Sequence, residues 1–306
     1  MNAIDVAVIG AGVAGLTAAA ELAGSGLSVL VIERMGAGGQ VMNVERLTGF
    51  PEHAGVPGYE LGPLLQERAE DAGAQFLLDE VQAIEAGDPG WVVRCAGEEV
   101  SARSVLIAAG SAKKPLGVPG EHKYEGRGVS HCASCDGPLF RGETLCVVGG
   151  GDSGASEALL LSHFAGQVLL VFREEAPHAQ PELLQELAAT KNIALRPAAE
   201  VLAIVGSPQG VTGVQVRHAG GEDFVPCAGV FVYAGLQPAS SFAAAVVATD
   251  DAGRIVTDAA CRTSRGGIFA AGDIRAGTPY LLSACAEDAR RAAGAIRQFL
   301  LERSPA

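Results

Sequence analysis

The sequence has no surplus of basic residues. Lys and Arg number 22 against 35 Asp and Glu, a net charge of -13. Nucleic-acid grooves and polybasic membrane patches both need cationic fields, so neither partner is expected. No uninterrupted apolar stretch of about 18 residues occurs, so no membrane span is expected. The start, Met1-Asn2-Ala3-Ile4-Asp5, lacks a basic n-region, and no secretory signal is expected from it. The seven cysteines are odd in number and include only one close pair, which is not a secreted disulfide framework. A reducing, cytoplasmic setting is the expectation. Disorder is not expected either, with 48% hydrophobic and 19% charged residues. What the chain has in excess is glycine, 41 of 306 residues, about twice the usual share of roughly 7%. Without a Gly-X-Y period this excludes collagen and points to tight turns and close backbone approaches. At roughly 150 residues per domain, the length suggests two domains.

The glycines are ordered. Ile4 to Ile9 is a short apolar run that reads as a buried strand, and Gly10-Ala11-Gly12-Val13-Ala14-Gly15 follows it. Leu16 to Ala23 reads as a helix, and Leu27 to Ile32 as a second strand ending at Glu33. Strand, G-x-G-x-x-G, helix, strand and an acid about 20 residues on is the dinucleotide fingerprint in its required context. The glycines let the backbone approach a pyrophosphate, the helix N-terminus stabilises that anion, and Glu33 would accept hydrogen bonds from a ribose. The pattern recurs with Thr144 to Val148, then Gly149-Gly150-Gly151-Asp152-Ser153-Gly154, a helix from Ala155 to His163 and a strand from Gln167 to Phe172. Counted from the first glycine, Phe172 stands where Glu33 stands in the first copy. Two copies in context imply two nucleotide-binding domains.

Three further apolar runs end in small residues: Val105 to Gly110, Val230 to Gly235, and Gly267 to Asp273. A helix from about Ser283 to Leu301 follows the last. Prolines after the first two runs (Pro115, Pro119 and Pro238) mark crossover points near residues 113 and 243. The expected architecture is α/β, with two Rossmann-like three-layer domains, the second inserted into the first. Residues 1–113 and 244–306 form the first and 114–243 the second.

Cys132-Ala133-Ser134-Cys135-Asp136-Gly137 is the main reactive candidate. Zinc would need a second cysteine pair or histidines at set spacing, and the sequence offers neither. Dithiol–disulfide exchange needs only this pair and a lowered thiol pKa. Two inert buried cysteines are the remaining reading. Asp136 could serve as acid and base toward the thiol or cap a helix.

On these motifs, with Gly38-Gly39-Gln40 and the Ala108-Ala109-Gly110 strand end, the chain resembles the low-molecular-weight thioredoxin reductases over nearly its whole length. The resemblance implies FAD in the first domain, held by Gly10, Gly12, Ala14, Gly15, Glu33, Arg34, Gly39, Gln40, Val81, Ala109, Gly110, Gly272, Asp273 and Ile274. It implies a redox disulfide Cys132/Cys135 with Asp136 handling the proton, Cys135 nearest the flavin and Cys132 attacking the partner. It also implies a homodimer, a thioredoxin-like protein or small dithiol or disulfide as partner, and rotation of one domain against the other at the two crossovers. A nicotinamide nucleotide would lie on Gly149, Gly151, Asp152, Ser153, Gly154 and Arg173.

The chain departs from the family where NADPH should bind. Members that use it carry a His-Arg-Arg run and a later Arg for the 2'-phosphate; here the positions read Phe172-Arg173-Glu174-Glu175, with His178 at the later site. Two acids beside a phosphate dianion oppose its binding. NAD(P)H use is therefore in question, and NADH, a ferredoxin-type donor, or dithiol oxidation with oxygen as acceptor are alternatives. A bound-FAD protein that senses redox state without turnover is a further reading. Near the flavin, Gly49 replaces an Asn before Phe50-Pro51, the usual Arg-Gln pair before the last helix is missing, and Glu287 with its neighbour is expected to offset that helix's dipole.

Overall fold

The computed structural model describes residues 3–303 other than Glu45, Arg46, Thr48, Gly49 and Pro89. The chain divides into two compact units, residues 1–112 with 237–306, and residues 113–236. The second crossing lies at 236/237 rather than near 243. Residues 237–243 belong to the first unit because Ala239 N donates to Gly110 O and Ala243 is buried in that unit's core.

The first unit is built on a parallel sheet. Gln75–Leu78, Val29–Glu33, Ile4–Ile9 and Glu99–Ile107 lie side by side in that order, with Val8 opposite both Val31 and Leu106. Glu99–Ile107 changes neighbours along its length. Its start pairs antiparallel with Trp91–Cys95, which in turn pairs with Val81–Ala86, and its end pairs parallel with Ile268–Ala270. The strands read as unbroken apolar runs because both faces are covered. Val6, Val8, Val31 and Leu106 pack with the helices Val13–Ala23, Gly58–Asp71 and Leu282–Glu302. Ala7, Ile9, Ile32 and Ile107 pack on the other side with Ile84, Val93 and Ile255.

The second unit repeats the scheme. Ile193–Arg196, Gln167–Val171, Thr144–Val148, Gly229–Val232 and Val129–Ser130 form a five-stranded parallel sheet in that order. Leu145, Val147, Leu170 and Phe231 pack toward the helices Asp152–Ser162 and Pro181–Ala189. Cys146, Val148, Val171 and Val230 pack toward an antiparallel sheet of Glu200–Ser207, Gly210–His218 and Gly221–Pro226. Both fingerprint helices begin inside their glycine motif, at Val13 and Asp152, earlier than periodicity suggests. The second glycine of each motif, Gly12 and Gly151, takes the extended N-cap position.

Among the described residues no helix is long and apolar enough to cross a membrane. One buried ion pair ties the last helix to the segment before it. Arg275 clasps the Asp288 carboxylate through Nε at 2.7 Å and a terminal nitrogen at 3.0 Å. Arg275 also donates to Thr257 Oγ1, and Arg291 adds a 3.2 Å contact to Asp288. Removing one member leaves a buried charge uncompensated, so Asp288→Ala should lower unfolding stability by about 3–5 kcal/mol in a denaturant titration.

Candidate functional site

In a parallel sheet the residues after each strand gather at one edge, and in the first unit the expected flavin residues do so. Gly10 has φ +102°, and a Cβ there would sit 2.6 Å from Ala108 O, so only glycine fits beside the Ala108-Ala109-Gly110 strand end. A Cβ on Gly15 would stand 1.9 Å from Gly10 O, the close approach that lets the helix start on the strand. A Cβ on Gly12, by contrast, would meet nothing within 4 Å. That open space in front of uncapped helix amides suits a pyrophosphate. Glu33 Oε2 accepts from Ala11 N at 2.8 Å and Oε1 from Met35 N at 3.0 Å, which fixes the carboxylate and leaves lone pairs for a ribose. Asp79 N donates to Glu33 O, bringing Arg34 and Val81 to this edge, where Arg34 lies 3.7 Å from Glu80. Gly38 N donates to Ala11 O, and Gln40 Nε2 to Ser111 O at 2.6 Å, so Gly39 and Gln40 lie along the fingerprint.

Gly272 packs on Ala14, a Cβ there falling 2.9 Å from the Ala14 Cβ, and Ile274 is fully buried. Asp273 accepts a hydrogen bond from Cys285 Sγ at 3.2 Å, and burial pushes its carboxyl above the usual range. The residues of this unit fit a dinucleotide such as FAD. Acids do not offset the last helix's dipole as expected. Its first turn contains none, Glu287 is exposed one turn further on, and Asp288 is bound by Arg275 and Arg291. Gly49 lies outside the described residues.

The second fingerprint has the same backbone and a different surface. Gly149 has φ +132°, and a Cβ on Gly154 would stand 2.0 Å from Gly149 O, matching the first copy. Here, however, the His178 ring lies over the second glycine, with Nε2 3.2 Å from where a Gly151 Cβ would be. The His178 amide donates to Gly150 O at 2.8 Å, holding that segment down. Asp152 puts a carboxylate at the first turn of the helix, where it accepts from Gln180 N at 2.7 Å and Gln180 Nε2 at 2.9 Å. Ser153 is exposed beside it. Phe172 is buried against Gly150, where the first unit has Glu33. Arg173 pairs with Glu200 at 2.8 Å, and Glu174 and Glu175 are exposed next to it. Those acids lie in a bend; the next helix starts only at Pro181. Sequence reasoning singled out His178 but not its place over Gly151, which a contact across 27 residues does not announce.

Cys132 and Cys135 are joined in a disulfide at the start of a single helical turn, Ala133–Asp136. Cys132 caps that turn, its Sγ accepting from Cys135 N at 3.3 Å. Asp136 Oδ2 accepts from Ser130 Oγ at 2.6 Å, and the same hydroxyl accepts from Cys132 N at 3.1 Å. Cys135 is exposed and Cys132 half-buried, so exposure by itself does not select Cys132 as the attacking sulfur. Lys113, Glu157 and Tyr233 also surround this turn. The sequence marks Glu157 only as part of the second fingerprint's helix, and its place here, like that of Lys113 and Tyr233, was not legible, since the three come from a helix, a crossover and a strand end. The other five cysteines are buried and free. Burial pushes the Cys95 and Cys261 thiols up to about 11 and the Cys227 thiol up to about 12. Thiolate is the reactive form. After reduction, brief alkylation near pH 8 should therefore label Cys132 and Cys135 and spare the other five in a peptide mass map.

Comparison with known proteins agrees with this geometry. The family model described as pyridine nucleotide-disulphide oxidoreductase matches residues 4–293. A thioredoxin reductase of Bacillus subtilis is 36% identical over 301 residues, covering 97% of this chain and 95% of that protein. One of Listeria monocytogenes is 37% identical over 274 residues, covering 89% and 86%. The crystal structure of Lactococcus lactis thioredoxin reductase superposes with a TM-score of 0.93 at 33% identity, covering 98% of this chain and 99% of that one. With a fingerprint shaped for a dinucleotide and a disulfide built into a helical turn, the chain belongs to the pyridine nucleotide-disulphide oxidoreductase family and is a disulfide oxidoreductase of the thioredoxin reductase type.

Proposed function

We propose that the first unit binds FAD and that Cys132/Cys135 passes electrons to a thioredoxin-like protein or small disulfide. The donor on this reading is not NADPH but another carrier, of ferredoxin or dithiol type. A homodimer in a reducing, cytoplasmic setting completes the reading, as the family implies. The observation that carries the donor assignment is the contrast between the two second glycines. A Cβ on Gly12 would face open space, whereas the exposed His178 ring stands against Gly151 with the Asp152 carboxylate beside it. Arg173, the one cation of Phe172-Arg173-Glu174-Glu175, is engaged by Glu200. A nucleotide phosphate would have to displace an imidazole and lie among carboxylates, and like-charge contacts of this kind cost several kcal/mol.

Bound FAD supplies a two-electron carrier. The chain's own residues hold it through the Gly10 to Gly15 loop, Glu33 and the edge formed by Gln40, Ala109, Gly110 and Asp273. At the disulfide, the Cys132 thiolate attacks one partner sulfur, and the partner's other sulfur leaves as a thiolate and takes a proton. Cys135, giving up its proton, then attacks Cys132 Sγ, and the first partner sulfur leaves as a second thiolate and is protonated. Disulfide is re-formed on this chain and a dithiol on the partner. The Cys135 amide beside Cys132 Sγ favours Cys132 as the thiolate, and Asp136, oriented by Ser130, carries the proton.

The test is anaerobic flavin absorbance. NADPH and NADH should leave the oxidised spectrum standing over minutes, and a reduced one-electron protein carrier or a dithiol should bleach it. Fast bleaching by NADPH, lost in Arg173→Ala, would overturn the donor assignment. Peroxide formed on air admission after dithiol bleaching would favour oxidase turnover over reductase turnover. Cys135→Ser should abolish turnover with any donor while the bound flavin spectrum remains, and persisting turnover would show that the pair is not catalytic.

A further inference from the structure

Tyr233 follows the strand Gly229–Val232 and stands between the second fingerprint and the redox turn. Its amide donates to Val148 O at 2.8 Å, which fixes its backbone against the fingerprint strand. Its hydroxyl accepts from the amide of Ala133, the residue after Cys132, at 3.1 Å. The same hydroxyl hydrogen-bonds Glu157, which projects from the fingerprint helix and whose Oε2 is shut off from solvent. Lys113 Nζ lies 5.5 Å from the ring centroid and donates to His131 O, the carbonyl before Cys132. The ionisable groups facing Tyr233 are thus Glu157, Lys113 and Asp136. Burial first, then Glu157, pushes the phenol's pKa up, so it stays protonated. A protonated phenol has one proton to give. With that proton on Glu157, its oxygen faces the Ala133 amide as an acceptor.

We propose that Tyr233 and Glu157 are positioning residues for the redox disulfide: the phenol anchors the Ala133 amide and thereby keeps the Cys135 amide on Cys132 Sγ. This rests on the reading of Cys132/Cys135 as the redox pair. When glutathione reduces the pair, the S–S bond breaks, two glutathione thiols leave joined as a disulfide, and their two electrons go to the cysteine sulfurs. One proton is taken up at Cys135, and Cys132 is left as the thiolate. The Cys135 amide, capped by Cys132 Sγ, then carries a charge-assisted hydrogen bond, stronger than the one it makes to the disulfide sulfur. Loosening the Ala133 anchor weakens that bond in the reduced form most, so thiolate acidity and redox equilibrium should move together.

The experiment uses the full flavin-loaded chain equilibrated in glutathione redox buffers, with no other donor or protein partner. The fraction reduced and the ultraviolet thiolate absorbance against pH are read together. Tyr233→Phe should raise the Cys132 thiolate midpoint and shift the pair toward disulfide by about three- to tenfold, the size of one net hydrogen bond. Glu157→Gln keeps an acceptor oxygen and should stay near wild type, while Glu157→Leu should follow Tyr233→Phe. Should Tyr233→Phe fail to fold, judged by its thermal midpoint and flavin spectrum, Glu157→Leu carries the same test. Both variants within about twofold of wild type would overturn the proposal and leave the reductase reading standing. A wild-type pair that does not cycle between disulfide and dithiol would overturn both.

Discussion

In both units the fingerprint helix starts so close to the preceding strand that its first turn lies against the carbonyl just after that strand, with no room for a side chain between them. Both units meet this condition with glycine. The space for a Cβ at Gly15 and at Gly154 is filled by the carbonyl oxygen of the motif's first glycine, Gly10 and Gly149. Everything nearby depends on that contact. It points the helix amides along the sheet edge and brings Glu33 onto Ala11 in the first unit. In the second unit it carries Glu157, on the same helix, to Tyr233.

The same backbone device carries opposite chemistry in the two units. In the first, the second glycine faces open space and an acid is fixed by two amides nearby. In the second, an exposed histidine ring stands against that glycine and an aspartate is held at the helix start by Gln180. An anion-binding loop works only while its amides are reachable and no fixed negative charge competes for the place. Loss of arginines alone would weaken a phosphate site. Here the exposed His178 ring and the Asp152 carboxylate also stand at the loop, where a phosphate would have to lie.

The redox turn depends on its surroundings more than its four residues suggest. A helix of one turn cannot stabilise itself, because nucleation is costly and it has few internal hydrogen bonds. Its amides and carbonyls are held from outside by Ser130, Tyr233 and Lys113. Geometry at the sulfurs is therefore set by a strand, a strand end and a crossover that the cysteine motif itself does not contain.

Much of the layout was legible in the chain. Strands such as Ile4 to Ile9 and Thr144 to Val148 are continuous apolar runs bounded by glycine, and the G-x-G-x-x-G copies name the loops because close backbone approach admits no other residue. The cysteine pair was legible because its four-residue spacing is local. The antiparallel sheets were not, since strands such as Glu200–Ser207 are half exposed and carry weaker patterns. The boundary near 243 shifted to 236/237 because it is set by which core Ala243 fills, not by Pro238. By itself the sequence determined the two glycine loops, the dithiol motif and the exchange of cations for acids after Phe172, each a matter of residue type within a few positions. Only the tertiary structure decided that His178 lies over Gly151, that Arg173 is engaged by Glu200 and that Tyr233 holds Ala133. Those contacts join residues far apart in the chain, and packing, rather than local preference, brings them within hydrogen-bonding distance.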